Sequence, residues 1–115
     1  MIRNLENAEH YRWGDRCDGW RLLAGDDLAV IQERMPPGTS EVLHRHERAR
    51  QLFYLLSGRL QISIDTATFD LTAGDSIEVA PGRPHQVRNV SSDEVTFLVI
   101  SAPTTRGDRI EEQEP

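Results

Sequence analysis

A chain of 115 residues can bury one hydrophobic core and is too short for two, and its 37% hydrophobic and 28% charged content is that of an ordinary water-exposed globule. The net charge of -6, with a pI near 5.1, excludes the cationic recruitment that nucleic acid or an anionic membrane surface demands. All 13 basic residues are arginine, so Schiff-base and lysine-base chemistry lack the amine they need.

Taken in chain order, the first residues, MIRNLENAEHYRWGD, hold no apolar stretch of signal-peptide length. The lone Cys17 allows no disulfide within the chain, leaves a cysteine zinc site without ligands, and is expected to pack as a small inert hydrophobe. A cytoplasmic location is the expectation. Short alternating or apolar runs then recur with turn residues about every ten positions, which is the pattern of an all-β sandwich or barrel. Strands are expected over residues 20–23, 28–35, 41–46, 51–56, 59–64, 67–71, 76–79, 84–89 and 94–101. Between them, PPGT, SG, AGD, PGRP and SSD supply turn chemistry. The run over 59–64 sets Leu60, Ile62 and Ile64 on one face and Arg59, Gln61 and Ser63 on the other, as a half-buried strand should. The run over 51–56 is apolar on both faces, so its outer face needs a cover, either a second copy of the chain in a homodimer or the segment carrying Trp13 and Trp20. Residues 102–115 are charged and poor in apolar groups, and are expected to form a mobile tail after a core spanning about 20–101.

The segment HRHERARQ places His44 and His46 two apart, hence on one side of a strand, with Gln51 following. His85 opens a later strand in which Val87 and Asn89 share its face. Parity therefore gathers His44, His46, Gln51 and His85 inward among Phe53, Leu55 and Val87. Imidazole and amide groups in such surroundings need partners, and one divalent cation satisfies all of them together.

The stretch GTSEVLHRHERARQLFYLLSG (38–58) resembles the first motif of the cupin superfamily, and GDSIEVAPGRPHQVRN (74–89) is similar to the second. The resemblance implies a double-stranded β-helix, or jelly-roll barrel, of six or more antiparallel strands filling a single domain, with His44, His46, Gln51 and His85 as ligands of one metal ion. Gln51 stands where that motif carries glutamate. A neutral amide cannot offset the cation's charge, so a less tightly held, more positive centre that favours anionic ligands is expected. Iron, zinc, nickel, manganese and copper all remain open, since affinity order does not choose among them. The implied function is a metal-dependent enzyme for a small organic substrate, with a mononuclear dioxygenase as the leading expectation. The alternatives are an isomerase, epimerase or decarboxylase using the metal as a Lewis acid, and a non-catalytic small-molecule-binding cupin.

Other residues carry plainer expectations. His10 reads as a strand or surface residue, and Tyr54 as packing on the face opposite Gln51. Arg45, Arg48 and Arg50 read as a solvated outer face, with Asn89 pinning the strand that leaves the site. Met35, Phe53, Leu55, Val87 and Phe97 are candidate pocket walls, and Glu33 or Gln32 is a candidate for the pocket mouth.

Overall fold

A computed structural model describes residues 1–113. The described residues hold eleven strands and no helix. In chain order these are β1 (Glu9–Trp13), β2 (Cys17–Ala24), β3 (Ala29–Met35), β4 (His44–His46), β5 (Arg50–Ser57), β6 (Arg59–Ile64), β7 (Ala67–Thr72), β8 (Ser76–Val79), β9 (His85–Arg88), β10 (Val95–Ala102) and β11 (Arg109–Glu111). They form a six-stranded sheet in the order β1-β2-β3-β10-β5-β8 and a five-stranded sheet in the order β11-β4-β9-β6-β7, antiparallel at every pairing. This is a jelly-roll fold, as the motif resemblance implies, within the all-β class that the sequence pattern predicts.

Alternation decides the faces. Along β5, Gln51, Phe53 and Leu55 are buried, while Tyr54 and Leu56 are 38% and 39% exposed. Along β10 the inward residues run Val95, Phe97, Val99, Ser101, leading from a dry core to a polar chamber. The core closes around Met35, Leu55, Leu60, Ile62, Val87 and Phe97 at that dry end, and Cys17 belongs to it. Burial pushes the Cys17 thiol pKa up, as expected of an inert residue. The β5–β6 hairpin turns on Gly58 at φ 86°, where an added Cβ would meet the Glu94 carbonyl oxygen at 2.6 Å. Only glycine fits there.

Three expectations are corrected. Strand β1 is absent from the expected set, and β2 begins at Cys17 rather than at residue 20. The strand expected over 41–46 shortens to His44–His46, because Ser40 and Glu41 bond irregularly to β9 instead, with Glu41 N donating to Val87 O at 3.1 Å. The carboxy-terminal segment is not a free tail. Strand β11 pairs with β4, the Glu112 N–H donates to Leu43 O at 2.9 Å, and Arg45 ion-pairs with Glu112. Its missing apolar residues misled the prediction, because backbone bonds and one buried carboxylate hold it in place. The expected tail also includes Glu114 and Pro115, which lie outside the described residues.

The outer face of β5 is not covered by the segment carrying Trp13 and Trp20. Trp13 packs against the core, and Trp20 sits in β2 across from Gln32, with β3 and β10 between it and Tyr54.

Candidate metal centre

His44 and His46 flank Arg45 on β4, and His44 is the register partner of His85 on β9. All three imidazoles are buried, at 3%, 6% and 1% exposure. Their ring centroids lie 4.4 Å (His44–His85), 4.9 Å (His44–His46) and 5.7 Å (His46–His85) apart. One nitrogen from each ring falls within 4.8 Å of the others. That places them within reach of one cation.

Hydrogen bonding fixes two of the tautomers. His44 Nδ1 lies 2.7 Å from Val42 O and His85 Nδ1 lies 3.0 Å from Arg83 O. A carbonyl oxygen only accepts, so each Nδ1 carries the hydrogen and each Nε2 presents a free lone pair. Burial, the largest cause, holds all three rings neutral. It lowers His44 to about 3 and His85 to about 4, and lowers His46 as well. Three buried polar atoms have no partner: His46 Nδ1, Gln51 Oε1 and His85 Nε2. An unpartnered buried acceptor costs about 1–3 kcal/mol, a penalty that a bound cation would relieve at several of these atoms together. Neutral imidazole lone pairs and an amide oxygen are donors that suit a divalent transition-metal ion.

Gln51 joins the cluster through β10. Its register partner is Ser101, and its Nε2 donates to Ser101 Oγ at 3.2 Å. The amide is thereby oriented with Oε1 left over.

A second polar group lies beside the first. Glu33 and Glu41 enter from β3 and the β3–β4 connection, Tyr11 from β1 and Arg109 from β11. Tyr11 reaches the chamber because Gly19 lies between it and Glu33 in the sheet. A Cβ on Gly19 would stand 2.2 Å from Tyr11 Cζ, so the ring lies flat across the glycine. Its hydroxyl donates to Glu33 Oε2 at 3.2 Å, and Arg21 stacks over the ring with Cζ 4.5 Å from its centroid. Burial raises Glu33 to about 7; burial, then the Glu33 charge, raises Glu41 to about 8. Glu41 Oε1 accepts from Val87 N at 3.0 Å and stands 4.0 Å from His44 Nδ1.

These four residues line two adjoining cavities. An inner chamber of about 180 Å³ also touches His46, Gln51, Phe53, Val99 and Ser101, and an outer vestibule of about 310 Å³ also touches Trp13, Gly14, Ser40 and Val42. Tyr11, Glu33, Glu41 and Arg109 are therefore the neck shared by the two cavities, and the inner one reaches His46 and Gln51.

A family model of the cupin domain matches residues 31–101. The chain belongs to the cupin family. An uncharacterized protein of Methanocaldococcus jannaschii is 30% identical to this cupin over 82 residues, covering 71% of this chain and 66% of that protein. An oxalate-binding protein of Thermotoga maritima is 28% identical over 67 residues, covering 58% and 55%. The cupin thus spans between about half and two thirds of the length of these curated relatives. A crystal structure of a predicted oxalate decarboxylase from Thermotoga maritima superposes with a TM-score of 0.82 at 20% identity, covering 90% of this chain and all of that one, a likeness of fold.

The cupin places the other singled-out residues as follows. His10 is apart from the three imidazoles and bonds Asp18 Oδ1 at 2.7 Å. Arg45 and Arg50 pair on the outside with Glu112 and Glu78, and Arg48 is 66% exposed in its side chain. Asn89 pins two segments, donating from Nδ2 to Met35 O at 3.0 Å and to Asp93 O at 2.8 Å. Phe53 lines the chamber, whereas Met35 and Phe97 are core residues and do not. Glu33, not Gln32, faces the mouth. Tyr11, Glu41, Ser101 and Arg109 escaped the sequence reading. Ser101 was legible from its parity with Phe97 and Val99; the other three carry no local signal.

Proposed function

We propose that this cupin is a metal-dependent enzyme in which His44, His46 and His85 hold one divalent cation and a small organic ligand fills the adjoining chamber. The observation that carries the reading is the convergence of three buried, neutral imidazoles with unpartnered nitrogen and amide oxygen atoms around one point. A bound cation there supplies Lewis-acid polarisation of a ligand oxygen. The chain supplies the rest. Gln51 and the two fixed tautomers orient the donor set, and Phe53, Val99 and Ile31 limit water. Glu33, hydrogen-bonded by Tyr11 and titrating close to neutrality, can accept or return a proton at its carboxylate oxygen. A carboxyl group of that kind beside the histidines favours proton-transfer chemistry of the isomerase or decarboxylase class.

The dioxygenase expectation is the second reading. It is supported by the wholly neutral donor set, which leaves a cation's charge undiminished. One experiment separates the two. Protein purified without added metal is loaded with iron, zinc or nickel, and a panel of small acids and diketones is followed for oxygen uptake and for solvent-deuterium incorporation. Deuterium exchange without oxygen uptake, lost in His85→Ala together with the metal, is the expected result. Oxygen uptake that tracks iron content establishes the second reading, and bound metal with neither activity leaves a binding cupin.

The exposed outer face of β5, with Tyr54 and Leu56, is our basis for proposing a homodimer.

A further inference from the structure

Arg109 is the cross-strand register partner of His46, so its side chain leaves the sheet on the face that carries the imidazole. It lines both the chamber and the vestibule. Among the described residues it makes no hydrogen bond or ion pair, unlike Arg45, Arg50 and Arg83, which each hold a carboxylate. Its position is not left to a loose end of chain. The preceding residue, Asp108, is buried and accepts hydrogen bonds from the backbone N–H groups of Glu47, Arg48 and Ala49, which pins β11 beside β4. A guanidinium that lines this cavity beside Glu33 and Glu41, yet holds neither in a close ion pair, has its N–H donors available to an anion, and its planar fork matches a carboxylate.

The rest of the neck narrows the class. Glu33 and Glu41 line the same neck, so a second ligand carboxylate finds carboxyl groups and no second guanidinium there, where a single carboxylate needs only Arg109. Size narrows it again. A chamber of about 180 Å³ holds the volume of about six water molecules, which matches a short organic acid.

We propose that Arg109 is the ligand-anchoring residue of this cupin and that it selects a short, singly charged organic acid, docking the carboxylate at the neck while a neighbouring hydroxyl or carbonyl oxygen of the same molecule turns toward the histidines. The inference rests on the metal-centre reading, and the test keeps the two apart. Wild-type protein and Arg109→Gln are loaded with cobalt(II), whose visible spectrum reports the imidazole site. Each is then titrated with lactate, with lactamide as the uncharged isostere, with malonate as the doubly charged acid, and with inorganic phosphate.

Both proteins should take up one cobalt and melt alike, because Arg109 is exposed on an edge strand. Wild type should bind lactate at least about tenfold more tightly than lactamide, malonate or phosphate, and Arg109→Gln should lose that preference while binding lactamide unchanged. Arg109→Lys should recover part of it. Failure of wild type to take up cobalt overturns the metal centre, and the anchoring with it. Equal cobalt uptake with lactate bound equally by wild type and Arg109→Gln overturns the Arg109 assignment alone. Preferential binding of malonate or phosphate overturns the singly charged class.

Discussion

Gln51 donates its Nε2 to Ser101 Oγ at 3.2 Å, and its Oε1 is the end of the amide left without a partner beside the histidines. With the nitrogen engaged, the oxygen is the atom available to the cluster. Gln51→Glu adds a negative charge at the same point and should tighten metal retention on the order of tenfold in chelator competition. Ser101→Ala frees the amide to rotate and should weaken retention by about tenfold. Unchanged retention in both would place the amide away from the cation.

Glu33 is the residue whose charge depends most plainly on pH near neutrality. Its ordinary value is 4.5, and burial raises it in the folded chain to about 7. Between those values the folded state keeps a proton that the unfolded state has released, so its contribution to stability falls as pH rises through that window and levels off above it. Glu33→Gln removes this loss. In urea unfolding of metal-free protein, the variant and wild type should be close at pH 4, with the variant more stable by about 2 kcal/mol at pH 8, a figure already discounted for the partial exposure of the carboxyl. A gap that is the same at both pH values would show that the carboxyl titrates normally.

Asp108 works in the opposite sense. Burial alone would raise its pKa, but the N–H groups of residues 47–49 and the Arg48 charge hold it below the usual carboxylate value. Its stabilisation is therefore present above about 3.8 and is lost as pH falls through the lowered folded value. Asp108→Ala strands the buried Ala49 N–H and should cost about 2–3 kcal/mol. Amide hydrogen exchange should rise at residues 47–49 and 109–111 together, and Asp108→Asn should restore part of the protection. Faster exchange confined to one of the two segments would sink the pinning role.

Strand identity was legible wherever burial alternates. Arg59–Ile64 and Ser76–Val79 fall where expected, because one wet and one dry face write a period of two into the residues. Strand β1 escaped notice because EHYRW has no dry face: its outward and inward residues are all at least partly exposed. β11 escaped for a related reason. Arg109, Ile110 and Glu111 are held by backbone pairing with β4, and such pairing leaves no mark in composition.

By itself the sequence determined an all-β chain, the jelly roll coming from the resemblance of two motifs. It also determined the inward grouping of His44, His46, Gln51 and His85, since a strand's side-chain period is local and a turn residue acts where it stands. Only tertiary structure decided what surrounds them. Tyr11, Glu33, Glu41 and Arg109 come from four separate segments, and the pairings of β1 with β2 and of β11 with β4 bring the two outermost of them to the neck. Their meeting depends on sheet order and register, which are long-range properties that no short window of residues contains.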